Sequence, residues 1–272
     1  DRLIVVGDVN STMAATLAAA KLNIPVAHVE AGLRSFDRTM PEEINRLVTD
    51  AVADMLLVSE RAGVENLRRE GRDDAQIHLV GNVMIDTLQQ QLQQARQLNV
   101  LKELELEPQG YAVVTLHRPS NVDTRETLAA ILDVLIEVSP QLPNAWPIHP
   151  RTRARLEEFG LLETVSNASS IQCLPPQGYL EFLCLTASAR VLVTDSGGLQ
   201  EESTALGIPC LTMRENTERP VTVEQGTSTL IGGDAELLRS QLDDVMNGRY
   251  KQGTCPDLWD GKASERIVAL LE

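Results

Sequence analysis

The sequence predicts an α/β fold built on two parallel β-sheets, each covered by helices on both faces. Three observations predict it. Short runs of Val, Ile and Leu alternate with longer amphipathic runs along all 272 residues. The short runs are apolar throughout, as strands buried on both faces require. The alternation restarts after Pro108-Gln109-Gly110, beyond a Gln-rich stretch from Gln89 to Gln97, which divides the strands into two sets.

In the first set, Leu3–Val6 is a strand and Ser11–Leu22 a helix. Pro25–Glu30 is a strand, Pro41–Ala53 a helix, Met55–Ser59 a strand and Glu60–Glu70 a helix. Ile77–Val80 closes the set, and Met84–Leu104 reads as one long connecting helix, with Leu88, Leu92 and Leu98 on one face. In the second set, Tyr111–Leu116 is a strand, Thr124–Val138 a helix, Trp146–His149 a strand and Arg151–Phe159 a helix. Ile171–Leu174 is a strand, Gly178–Thr186 a helix, Val191–Thr194 a strand and Leu199–Leu206 a helix. Cys210–Met213 and Ser228–Leu230 are strands, and Ala235–Met246 and Ser264–Leu271 are helices.

Composition narrows the function. Lys plus Arg is 24 against 39 Asp plus Glu, a formal net charge of −15, which argues against nucleic acid and against an anionic membrane surface as partners. No run is long and apolar enough to read as a transmembrane helix. Cys173, Cys184, Cys210 and Cys255 form no C-x-x-C pair and fit a reducing cytoplasm. With no Cys/His cluster and no H-x-x-x-H, no metal is expected. Neither a P-loop nor a G-x-G-x-x-G fingerprint is present, so no nucleotide cofactor is expected.

Ligands of open parallel sheets bind outside the carboxyl ends of the strands, so the residues there carry the chemistry. Thr194-Asp195-Ser196-Gly197-Gly198-Leu199-Gln200-Glu201-Glu202 reads as strand, glycine turn and helix start. Free N–H groups and the helix dipole make such a start an anion site, to which Ser196 adds a hydroxyl. Glu202, one turn further on, can accept from a ribose diol. A plain Ser-capped helix explains the same spacing. Arg214 and Arg219 follow another strand and suit a diphosphate, or equally pair with Glu215 and Glu218. Asp8, Glu30 and Glu42 stand at or just past three strand ends and can divide acid and base roles. Taken singly, each is more often an N-cap or a surface residue. His117 ends a strand beside Arg118. His28 lies inside an apolar strand and reads as a core residue, and His149 is open to either reading. Aromatic residues are only 3 % of the chain, so Phe182 stands out if it lies near Gln177; on its own it reads as a core residue of a helix.

Six strings occur in order: Gly7-Asp8, His28-Val29-Glu30-Ala31-Gly32-Leu33-Arg34, Pro41-Glu42-Glu43-Ile44-Asn45-Arg46, Thr115-Leu116-His117-Arg118, Thr194 to Glu202, and Thr217-Glu218-Arg219-Pro220. With them the chain resembles the non-hydrolysing UDP-N-acetylglucosamine 2-epimerases, essentially end to end. The resemblance implies a GT-B-like fold: two Rossmann-like parallel-sheet lobes with the active site in the cleft between them. It implies epimerisation at carbon 2 of UDP-N-acetylglucosamine to UDP-N-acetylmannosamine, by elimination of UDP and its re-addition, for surface polysaccharide synthesis. By position it assigns Asp8, Glu30, Glu42 and His117 to catalysis. Ser196, Gly197 and Gly198 match the diphosphate turn, Glu202 the ribose contact, Arg219 a diphosphate or cleft contact, and Gln177 and Phe182 the uracil pocket. Family members need neither NAD nor metal and are commonly dimers, so a cytoplasmic homodimer is expected for the complete enzyme.

The family begins with about three further strand–helix units, to which nothing here corresponds. The expectation is therefore an N-terminally truncated member with its first lobe incomplete: residues 1–92 as part of an N-terminal lobe, 93–258 as the UDP-binding lobe, and a helix in 259–272 packing back on the first. Two other readings remain. A GT-B glycosyltransferase would share the phosphate site but usually needs only one acceptor base. A truncated, non-catalytic nucleotide-sugar-binding protein would have no use for the carboxylate trio.

Overall fold

Ten strands form two sheets in which every pairing is parallel. The computed structural model describes residues 1–272 and divides into two units. Unit 1 comprises residues 1–88, 217–224 and 256–272; unit 2 comprises 89–216 and 225–255.

In unit 1 the strands β1 (Leu3–Val6), β2 (Val26–Ala31), β3 (Met55–Val58) and β4 (Ile77–Leu79) lie in sequence order. The crossovers carry α1 (Asn10–Lys21), α2 (Pro41–Val52) and α3 (Arg61–Arg69). Pro41 occupies the first turn of α2, where its missing N–H costs nothing, and Glu42 and Glu43 face the positive end of the helix dipole. Alternate strand side chains feed two cores. Val5, Val26, Leu56 and Val58 pack with Leu67 on one side, and Ala27, Val29 and Leu57 pack with Ile267 on the other. Ile267 lies on α14 (Ala263–Leu271), so the C-terminal helix covers the unit 1 sheet. Its first N–H groups, at Ala263 and Ser264, donate to the Asp86 carboxylate on α4 (Val83–Ala95). Trp259 donates its indole N–H to the Ser59 carbonyl.

Unit 2 holds β5 (Ala112–Thr115), β6 (Asn144–Pro147), β7 (Ile171–Leu174), β8 (Val191–Thr194), β9 (Cys210–Thr212) and β10 (Ser228–Leu230). Across the sheet the order is β7-β6-β5-β8-β9-β10. The chain therefore runs outward from β5 in one direction, returns, and runs outward from β8 in the other. β5 and β8 flank the switch point, where open α/β sheets bind ligands. The largest hydrophobic core backs this sheet. Leu128, Ile131, Leu132 and Leu135 of α7 (Arg125–Val138) recur at helical spacing and pack there with Val114, Trp146, Val193 and, from α13 (Ala235–Met246), Leu238 and Leu242.

The long helix expected over 84–104 is two pieces. α4 ends at Ala95, and α5 (Val100–Glu103) restarts after Asn99, a residue that favours caps over helix interiors. Four- to six-residue helices α6 (Pro119–Val122), α9 (Leu162–Asn167) and α12 (Val221–Glu224) fill loops that carry no sustained period. Residues 217–224 group with unit 1 rather than with the sheet that precedes them, a long-range association that sequence order does not carry.

Candidate active site

The switch point of unit 2 is organised by Asp195, directly after β8. It has no solvent exposure. Its Oδ2 accepts from His117 N at 2.9 Å, Arg118 N at 2.8 Å and Asn121 Nδ2 at 2.9 Å. Its Oδ1 lies 2.7 Å from His117 Nδ1 and has no other partner. Burial works against the charged carboxylate. The His117 hydrogen bond and charge, the Arg118 N–H and the Asn121 amide outweigh it, and Asp195 titrates below the usual carboxylate range. The loops after β5 and β8 are thereby locked together.

α10 (Tyr179–Ala187) and α11 (Gly197–Leu206) flank the same region of unit 2. α11 begins after Ser196, whose side chain makes no cap bond, and ends on Gly207 in the left-handed conformation. A Cβ built on Gly198 meets nothing within 4 Å, so the helix start is open. A pocket of about 260 Å³ adjoins it, lined by His117, His149, Gln177, Phe182, Ser196 and Leu199 among others. The His117 and His149 rings lie 5.4 Å apart. His149 caps α8 (Pro150–Glu158), its Nδ1 accepting from Arg151 N at 3.1 Å. Deeper on α11, Glu202 is buried. Burial and the charge of neighbouring Glu201 push its carboxyl up to about 7, against a hydrogen bond from Tyr179 Oη at 3.5 Å.

In unit 1 the strand ends hold carboxylates. Asp8 follows Gly7, which has a positive φ of 68°. Glu30 also has a positive φ, 70°, where β2 shifts register against β3 between Val29 and Ala31. A bulge of this kind re-aims a side chain, and a left-handed non-glycine residue stores strain, which points to a functional constraint. A Cβ built on Gly7 would lie 4.0 Å from Glu30 Oε2, so the Glu30 carboxylate reaches back to the β1 strand end. Arg219 Nη2 is 3.9 Å from the same oxygen, and Arg219 Nη1 donates to Glu218.

Behind these groups stands a buried polar frame. Arg46, 2 % exposed, donates to Asp8 Oδ2 at 2.5 Å and, through Nε and Nη2, to Glu43 Oε2 at 3.0 and 2.7 Å. Glu43 also accepts from Ser35 N, Ser35 Oγ and Phe36 N. Burial opposes its charge, but the Ser35 N–H and Arg46 prevail, and Glu43 titrates below the usual range. Glu42, one residue earlier, is exposed. His28 is a core residue: its Nδ1 is 2.6 Å from Asp50 Oδ1 and its Nε2 is 2.9 Å from the Gly7 carbonyl. Asp50 is held in turn by Gly32 N and by Arg34, which pairs with Glu70. This chain of charges fixes the turn that presents Asp8.

The sequence-selected residues thus fall into two groups. Asp8, Glu30, Glu42 and Arg219 belong to unit 1, although the motif around Arg219 points to a diphosphate or cleft contact. His117, Gln177, Phe182, Ser196, Gly197, Gly198 and Glu202 belong to unit 2. The pocket brings together His117, Gln177, Phe182 and Ser196, while Glu202 lies one turn inside α11. Sequence reasoning passed over Asp195, Arg46, Glu43 and Tyr179. Asp195 stood in the quoted motif, directly after a strand and before a helix start, which was the available signal.

The family model for UDP-N-acetylglucosamine 2-epimerase matches residues 1–272. The chain belongs to the UDP-N-acetylglucosamine 2-epimerase family. Among relatives of this family, the chain is 42 % identical over 276 residues to the UDP-N-acetylglucosamine 2-epimerase of Methanocaldococcus jannaschii, covering 100 % of this chain and 75 % of that protein. It is 39 % identical to the UDP-2,3-diacetamido-2,3-dideoxy-D-glucuronate 2-epimerase of Pseudomonas aeruginosa, covering 99 % and 74 %. The crystal structure of the Methanocaldococcus jannaschii epimerase in complex with UDP-GlcNAc and UDP superposes with a TM-score of 0.88, over 100 % of this chain and 75 % of that one. The fold is that of these epimerases, and this family member is an α/β enzyme of nucleotide-sugar chemistry. No helix in it is long and apolar enough to cross a membrane.

Proposed function

We propose that the protein interconverts UDP-N-acetylglucosamine and UDP-N-acetylmannosamine as a step toward surface polysaccharide precursors. The observation that carries this is the match over the whole chain to an epimerase family, including a relative whose structure holds UDP-GlcNAc and UDP.

The reaction removes the carbon-2 proton to a carboxylate. The C2–H electron pair becomes the C1=C2 bond of a 2-acetamidoglucal, the C1–O bond breaks, and its electron pair leaves with UDP. Re-addition of UDP, with a proton delivered to the opposite face, inverts carbon 2. Elimination therefore needs a base near carbon 2 and donors that stabilise the departing diphosphate. Asp8, Glu30 and Glu42 are our candidates for the proton transfers. The left-handed backbone at Glu30 supports giving it a reacting role. Ser196, Gly197 and Gly198 receive the diphosphate at the start of α11, with His117 and Arg219 as further donors. Glu202 accepts from the ribose diol, and Gln177 and Phe182 read and cover the uracil. The open helix start and the pocket beside it support this division of labour.

We assign the enzyme to the cytoplasm, a reducing compartment that its four free cysteines fit. We further propose that it works as a homodimer.

Incubation with UDP-N-acetylglucosamine alone in deuterated water tests the activity. NMR should show UDP-N-acetylmannosamine appearing with deuterium at carbon 2, and Glu30→Gln should abolish the exchange while leaving UDP binding. Release of free N-acetylmannosamine, or no carbon-2 exchange, would reject the reading.

A further inference from the structure

We propose that Asp195 is a positioning residue for His117: it fixes the ring with Nδ1–H toward its own Oδ1 and so assigns Nε2 alone to the departing diphosphate. The inference rests on the reading of the pocket as the UDP site.

The geometry divides the Asp195 carboxylate into two sides. Oδ2 is saturated by three loop donors, His117 N, Arg118 N and Asn121 Nδ2. Oδ1 accepts from none of the loop donors and faces only His117 Nδ1, at an ion-pair distance of 2.7 Å. Since Asp195 is held as the carboxylate and has no proton to give, Nδ1 must carry the hydrogen. The other ring nitrogen belongs to a side chain that lines the pocket beside Ser196. In the doubly protonated ring, Nε2–H donates to a diphosphate oxygen as the C1–O electron pair moves onto the leaving group. No covalent bond to the ring forms, and the proton is shared along that hydrogen bond. A buried acceptor behind a histidine fixes its tautomer and orientation and stabilises its charge.

The same two-sidedness makes Asp195→Asn a selective probe. The three N–H donors around Oδ2 need an accepting oxygen there, so the amide oxygen must take that place. Its NH₂ then faces His117 Nδ1, which is turned from donor into acceptor. The loop bonds survive and only the histidine changes state: with Nδ1 accepting, the ring keeps a single hydrogen, on Nε2, and donates to the diphosphate as a neutral group in place of a charged one. With four histidines in the chain, nitrogen-15 NMR of labelled protein can resolve His117, assigned through His117→Gln.

The wild-type spectrum should show a protonated His117 Nδ1. In Asp195→Asn that nitrogen should shift to the unprotonated type, kcat for epimerisation should fall by about 100-fold, and KM should move far less. In a His117→Gln background, Asp195→Asn should cost no further activity. An unprotonated Nδ1 in the wild-type protein would overturn the proposal, and that measurement needs no variant to fold. An Asn variant with unchanged spectrum and kcat, or one with a full additional loss in the His117→Gln background, would overturn it as well. If the nitrogen signals behave as expected but no carbon-2 exchange occurs, the epimerase reading fails and the Asp195–His117 coupling stands.

Discussion

Arg46 joins Asp8 to Glu43: one guanidinium, 2 % exposed, donates to both carboxylates, which hold it on opposite edges. Glu43 is as buried as Arg46, while Asp8 is partly open. Removing the arginine would leave a buried, multiply hydrogen-bonded carboxylate without its counter-charge. Arg46→Ala is therefore expected to destabilise by about 3–5 kcal/mol, read as a fall in the urea midpoint. Glu42→Gln, on the exposed neighbouring residue, should leave the midpoint within about 0.5 kcal/mol. Equal losses from the two substitutions would show that the frame around Glu43 is not what supports this turn.

Glu30 carries its side chain on a left-handed backbone. Only glycine adopts that conformation without a Cβ penalty, of about 1 kcal/mol. Glu30→Gly and Glu30→Ala both delete the carboxylate, but only glycine relieves the strain. The glycine variant is expected to be the more stable of the pair by about 1 kcal/mol, and both should lose carbon-2 exchange. An alanine variant as stable as the glycine one would mean that the bulge relaxes in solution and that no strain is stored there.

How much of this was legible in the sequence follows from what sets each feature. The parallel strands and their helices were readable because continuous Val/Ile/Leu runs are a local signature. Asp195 and Ser196 were readable as a strand-end motif because a glycine turn into a helix is local too. The strand order was not readable, since nothing in the residues of β5 and β8 announces that these two, separated by β6 and β7 in sequence, lie side by side. The exposure of Glu42 and the burial of Glu43 were equally hidden. The two are chemically identical neighbours, and only the partners supplied by Ser35, Phe36 and Arg46 separate them. Arg219 and Glu30 approach each other across a sequence separation that no motif spacing reports.

Gly198 and Gly32 present opposite cases of glycine use. A Cβ on Gly32 would fall 2.4 Å from the Gly63 carbonyl oxygen, at a positive φ, so packing alone demands glycine there. A Cβ on Gly198 would meet nothing. With no structural need in the unliganded protein, that glycine fits a bound group that approaches the helix start closely. Gly198→Ala should leave stability unchanged or raise it by about 0.5 kcal/mol, while weakening UDP about 10-fold or more in titration calorimetry. Undiminished UDP affinity would remove the diphosphate from this helix start.

The ribose contact proposed for Glu202 would tie binding to pH. Burial first, and then Glu201, push its folded-state carboxyl up to about 7 from an ordinary value of 4.5. Between those values the folded protein keeps a proton that the unfolded chain has already released. Stability contributed by this group is therefore present at low pH and lost as pH rises through the window, by roughly 3 kcal/mol once the group is fully charged. Glu202→Gln should flatten that decline, so that its stability relative to the wild type improves from pH 5 to pH 8. Binding through the proposed ribose contact should run the other way, because a ribose diol donates best to the charged carboxylate. Uridine, which has the diol but no phosphate to titrate, should bind more tightly as pH rises through about 7. It should release protons on binding below that point, seen as a buffer-dependent enthalpy. The Gln variant should bind uridine weakly at every pH and release no protons. A wild-type uridine affinity independent of pH would detach Glu202 from the ribose.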